Sequence, residues 1–110
     1  MEFSDEVNQL VARALTADAD GPVLADAVRQ SLELLARAYP GRAVEVRVPP
    51  YCVVQIMGGT THRRGTPPAV VEMSAQTWLS LISGSLVWAD GVSKGRIQAS
   101  GIGSDLSSLF

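Results

Sequence analysis

The side chains that could do covalent or metal chemistry are few in this chain of 110 residues, and their spacing limits what they can do. His62 is the one histidine, and Arg63 and Arg64 follow it. A zinc site of the HExxH kind needs two imidazoles on one helix face, so none can form within this chain. A Ser/His/Asp triad can be drawn on paper, because serine and aspartate are plentiful. However, no serine lies in a nucleophile elbow, and His62 falls in a polar loop bounded by glycines. The single cysteine, Cys52, excludes an internal disulfide. It lies in an apolar run with no neighbouring base and reads as a buried, reduced thiol. Gly101-Ile102-Gly103 has the look of a phosphate-binding turn, but the third glycine and the surrounding βαβ unit are missing. It reads as a turn and helix start, with Ser104 or Asp105 as cap. No catalytic residue, metal ligand or cofactor is expected.

Two groups remain that could recognise a ligand without reacting with it. His62, Arg63 and Arg64, followed by Gly65-Thr66-Pro67-Pro68, offer two guanidinium groups and an imidazole to an anionic head group; the competing reading is a solvated loop. Trp78 and Trp88 are core anchors, or else one of them lines a ligand cavity. Met57 and Met73, whose side chains are flexible, would suit a cavity that accepts varied apolar shapes.

Composition and charge narrow the class. With 46% hydrophobic and 18% charged residues the chain is an ordinary globular one, long enough for one continuous core. A net charge of −2, with no Lys/Arg stripe interleaved with aromatics, argues against nucleic acid as a partner. No apolar run is long enough to cross a bilayer, and the acidic start Met1-Glu2-Phe3-Ser4-Asp5-Glu6 lacks the basic region of a secretory signal. A cytoplasmic protein is the expectation.

The elements that must position these residues follow from periodicity. Val7, Leu10, Val11, Ala14 and Leu15 form one stripe of a helix. A stronger helix starts at Asp20 or Gly21 with Pro22 in its first turn, repeats Val28, Leu32, Leu35 and Ala36, and stops at Pro40-Gly41. From Ala43 the period changes to two, with Val44, Val46 and Val48 on one face and Glu45 and Arg47 on the other. Pro49-Pro50 breaks that strand. Further strands are expected over Tyr51–Met57, with Cys52, Val54 and Ile56 toward the core, and over Ala69–Met73, with Ala69, Val71 and Met73 inward. A last strand carries Ile97 and Ala99 inward. Between the last two strands, Ser74 caps a helix containing Trp78, Leu81 and Ile82, Gly84 ends it, and a second short helix follows. A final helix is expected after Gly103. Hairpin-joined strands with helices gathered on one face make an α+β two-layer sandwich, with a mostly antiparallel sheet of four to five strands.

Residues 74–110, SAQTWLSLISGSLVWADGVSKGRIQASGIGSDLSSLF, carry a family resemblance. Trp78, Leu79, Ser83-Gly84, Trp88, Gly95, Ile97, Ser100-Gly101 and Asp105-Leu106, with the preceding HRRGTPPAVVEM, resemble the sterol carrier protein fold, and in particular its bacterial single-domain members. The resemblance covers roughly residues 22–110. The expected organisation is therefore an amino-terminal helical extension over 1–20 and a sterol carrier protein-like domain over 21–110.

The resemblance implies the same α+β sandwich, a short extra strand within Thr61–Gly65, and an apolar tunnel between the sheet and the later helices. It implies non-catalytic binding or transfer of a sterol, fatty acid or acyl thioester. Val54, Ile56, Met73, Trp78, Ile82, Trp88 and Leu106 are the expected lining, and His62, Arg63 and Arg64 the expected head-group contacts. The alternative is an accessory or interaction module that keeps the fold without a ligand, as in the second domain of thiol-dependent isomerases. A third expectation concerns the other face of the sheet. Tyr51, Val53, Gln55, Met57 and Val70 point there together and suggest a homodimer or docking partner, unless the amino-terminal helix, Phe3 to Leu15, folds over them.

Overall fold

The computed structural model describes residues 1–58 and 69–110. Each of the longer helices begins at a side-chain cap, as the sequence requires. Ser4 accepts from the Val7 N–H to start α1 (Asp5–Ala14), whose first turn carries Asp5 and Glu6 and whose last carries Arg13, matching the helix dipole at both ends. Asp20 accepts from the Val23 N–H at 3.0 Å to start α2 (Gly21–Ala38), with Pro22 in the first turn, where a missing N–H costs nothing. Ser74 accepts from the Thr77 N–H to start α3 (Ala75–Ser83), and Gly84 ends it at φ 83°. A shorter helix, α4 (Trp88–Ser93), follows.

Four strands form one sheet: β1 (Val44–Val48), β2 (Cys52–Ile56), β3 (Ala69–Met73) and β4 (Ile97–Ser100), in the order β2-β1-β3-β4. β1 pairs with β2 and β3 with β4 in antiparallel fashion, while the central β1–β3 pair is parallel. The register sets the two faces. Val44, Val46 and Val48 stand opposite Ile56, Val54 and Cys52, and Val44 and Val46 also neighbour Ala69 and Val71. This row, with Met73 and Ile97, faces the helices. Its central members are buried, and Cys52 and Val54 pack against them partly buried. α2 lies over β2, and α1 packs its buried Val7, Val11 and Ala14 against α2 and α3. The architecture is the expected α+β two-layer sandwich.

Three expectations need correction. Ala99 is exposed although its pairing with Val71 puts it on the helix side, because β4 is an edge strand and α4 covers it at buried Ile97. The final helix is a single 3-10 turn, Ser107–Leu109. Gly101 and Gly103 both take positive φ, and Asp105 spends its carboxylate on the Ser107 N–H at 2.9 Å, so few residues remain to propagate an α-helix. The tighter turn aligns residues three apart, which lets Leu106 and Leu109 bury together.

The third correction concerns the open face of the sheet. α1 does not cover it, since α1 lies on the helical side. Nor is it an apolar face. The register brings Glu45, Arg47, Glu72 and Gln98 beside Val53, Gln55 and Val70. Arg47 Nε donates to Glu45 Oε2, its Nη1 lies 4.0 Å from Glu72 Oε1, and Gln55 Nε2 reaches Glu45 Oε1 at 3.5 Å. Reading β2 in isolation overstates the greasiness of this surface, because its neighbours supply the charges. The extra strand expected within Thr61–Gly65 lies outside the described residues.

Candidate functional site

The densest aromatic packing lies where α3, α4 and the two ends of the described chain meet. Trp78 on α3 is fully buried, and its indole Nε1–H donates to Ser31 Oγ on α2 at 2.8 Å. The Ser31 hydroxyl in turn donates to the Ala27 carbonyl at 2.6 Å, so the polar pair is closed within the core. No buried polar side-chain atom lacks a partner among the described residues. Phe3 meets the Trp78 ring edge-on at 6.4 Å between centroids, and Phe110 does so at 5.7 Å. Phe110 also stacks on Trp88 with a 12° interplanar angle at 6.1 Å. Both geometries suit the aromatic quadrupole.

Of the seven expected lining residues, Ile56, Met73, Trp78, Trp88 and Leu106 belong to the buried core, and Val54 and Ile82 pack against it partly buried. The fold therefore gathers all seven into or against one hydrophobic core cluster. His62, Arg63 and Arg64 lie outside the described residues. Sequence reasoning missed Phe3 and Phe110. Neither is among the residues that the spacing marks for the core, although Phe3 opens the expected amino-terminal helix, and only the chain's path brings the two rings onto Trp78.

Other parts of the molecule offer little reactive chemistry. Among the described residues no cluster of three or more His, Cys, Asp or Glu could hold a metal ion, and no helix is long and apolar enough to cross a membrane. A depression of about 220 Å³ at the α1–α2 turn is lined by Arg13, Thr16, Asp18, Ala19, Asp20 and Val23. It is small and largely polar for a site meant to enclose an apolar ligand. Cys52 is half-buried. Burial first, and then the nearby Glu33 carboxylate, push its thiol above the ordinary cysteine value. Less thiolate is present at pH 8, so alkylation of the folded protein by iodoacetamide should run several-fold slower than that of a small free thiol, and the gap should close in urea. Labelling of the native protein at the free-thiol rate would contradict this packing of Cys52 against α2.

No curated protein matches the sequence. The family model described as bacterial SCP ortholog matches residues 10–110, which includes every element from α2 to the 3-10 turn and, of the aromatic cluster, Trp78, Trp88 and Phe110. The chain accordingly belongs to the bacterial sterol carrier protein-like family.

Proposed function

We propose that this protein binds an apolar lipid between its sheet and helices and carries it without covalent chemistry. The observation that supports the reading best is the make-up of that layer within a member of this family. Side chains from β2, β3, α3, α4 and the turn at Leu106 pack into one hydrophobic cluster, and every one of the seven proposed lining positions is apolar. The work is desolvation. Each methylene moved out of water contributes about 0.8 kcal/mol, so a long acyl chain gains on the order of 10 kcal/mol before ordering costs. A net micromolar affinity corresponds to about 8 kcal/mol, leaving a few kcal/mol to part the packed side chains. Val54, Ile56, Met73, Trp78, Ile82, Trp88 and Leu106 are the proposed lining. Arg63 and Arg64, with His62, are proposed to hold an anionic head group by charge-assisted hydrogen bonds.

Titration of the protein with oleate tests this. Tryptophan emission should change saturably in the micromolar range, because two of the proposed lining residues are the chain's two tryptophans. Ile82→Glu should remove the response while circular dichroism stays native, since Ile82 is only partly buried and its replacement places a charge beside the proposed site. Replacing both Arg63 and Arg64 by alanine should weaken oleate more than a neutral lipid, and the difference should shrink at high salt. A flat fluorescence trace across fatty acids, acyl thioesters and sterols would favour the accessory-module reading.

A further inference from the structure

The outermost ring of the aromatic cluster is only partly covered. Trp78 is fully buried and Trp88 is 7% exposed, whereas Phe110, which lies against both, is 39% exposed. Its ring is parallel to Trp88 within 12° and stands at 82° to Trp78, so a flat group packs against both indoles at once, stacked on one and perpendicular to the other. Phe110 belongs to no helix or strand. Its backbone N–H makes only a long 3.3 Å bond to the Ser107 carbonyl, while the preceding Leu106 and Leu109 are buried and hold the turn in place. The Phe110 side chain can therefore swing into solvent without moving the turn beneath it.

The geometry points to the Trp78–Trp88 slot as a recognition site for a flat, uncharged apolar ring, with Phe110 as a built-in stand-in that a ligand ring displaces. This builds on the lipid-binding reading, from which it takes the two tryptophans as lining residues, and adds the class of group that the slot accepts. A stand-in lowers apparent affinity by the fraction of time it leaves the slot open. If the slot is open about one tenth of the time, deleting the ring strengthens binding about tenfold.

The test compares the parent chain with Phe110→Ala and Phe110→Tyr, using 1-aminoanthracene as a flat, uncharged fluorescent probe and oleate as a flexible chain. Phe110→Ala should bind 1-aminoanthracene roughly tenfold tighter than the parent and gain distinctly less for oleate. Phe110→Tyr keeps the stacked ring and should match the parent. Circular dichroism should show that the variants are folded, as the partial exposure of Phe110 leads one to expect. Unchanged 1-aminoanthracene affinity in Phe110→Ala overturns the proposal, as does an equal gain for oleate, which would mean that the slot senses apolar volume and not flatness. A tenfold gain for 1-aminoanthracene in a protein that never binds oleate leaves the slot standing and removes the fatty-acid part of the lipid reading.

Discussion

Trp78→Ala should lower the unfolding free energy by about 3–5 kcal/mol, the range for truncating a fully buried large aromatic. Three losses coincide at this residue. The indole leaves a cavity at the centre of the helical layer, its edge contacts with Phe3 and Phe110 disappear, and Ser31 loses the N–H that its hydroxyl oxygen accepts. Trp78→Phe keeps most of the apolar volume and should cost less than the alanine variant. Urea denaturation followed by circular dichroism gives both values. A loss under about 1 kcal/mol for Trp78→Ala would contradict the close packing described around it.

Gly41→Ala should be comparably severe, on the order of 3–5 kcal/mol, through backbone rather than side-chain packing. Gly41 has φ 150° and forms an isolated parallel bridge with Gly58. A Cβ built there meets the Gly58 nitrogen and oxygen and the Met57 carbonyl carbon, all backbone atoms that cannot rotate away. The surrounding bonds tie the end of α2 to the start of β1 and the end of β2: Met57 N–H to the Tyr39 carbonyl at 2.8 Å, Gly58 N–H to Pro40 at 3.0 Å, and Arg42 N–H to Gly58 at 3.1 Å. Gly84→Ala is the control. Gly84 also has positive φ, but no atom beyond its two chain neighbours lies within 4 Å of an added Cβ, so only the conformational cost of about 1 kcal/mol should appear. Equal losses at the two glycines would show that close approach at Gly41 contributes nothing beyond its dihedral angle.

What the sequence makes legible is local. Ser74 and Gly84 bound α3 where their chemistry predicts, Val44, Val46 and Val48 face the core as alternation requires, and Asp20 caps α2. What it hides is set by partners distant in the chain. Nothing within Val44–Val48 or Ala69–Met73 announces that these strands pair in parallel, because that choice depends on the path between them. Ala99 has the right alternation for the core but no helix above it. Val53 and Val70 look like an apolar surface until register sets Glu45, Arg47 and Glu72 among them. The site divides in the same way. Trp78, Ile82 and Trp88 lie on helices that the spacing reveals, whereas Phe110 reaches the two tryptophans from a turn whose direction the glycines at 101 and 103 decide.

The central claim, that the layer between sheet and helices holds an apolar ligand, is tested most directly by what the native protein carries. Mass spectrometry under non-denaturing conditions, followed by organic extraction of the same preparation, should show a mass above that of the 110-residue chain and a lipid that accounts for the difference. Ile82→Glu prepared in parallel should lack that lipid. A parent that shows only the mass of the bare chain, and that stays bare after incubation with oleate, an acyl thioester and a sterol, would contradict the account.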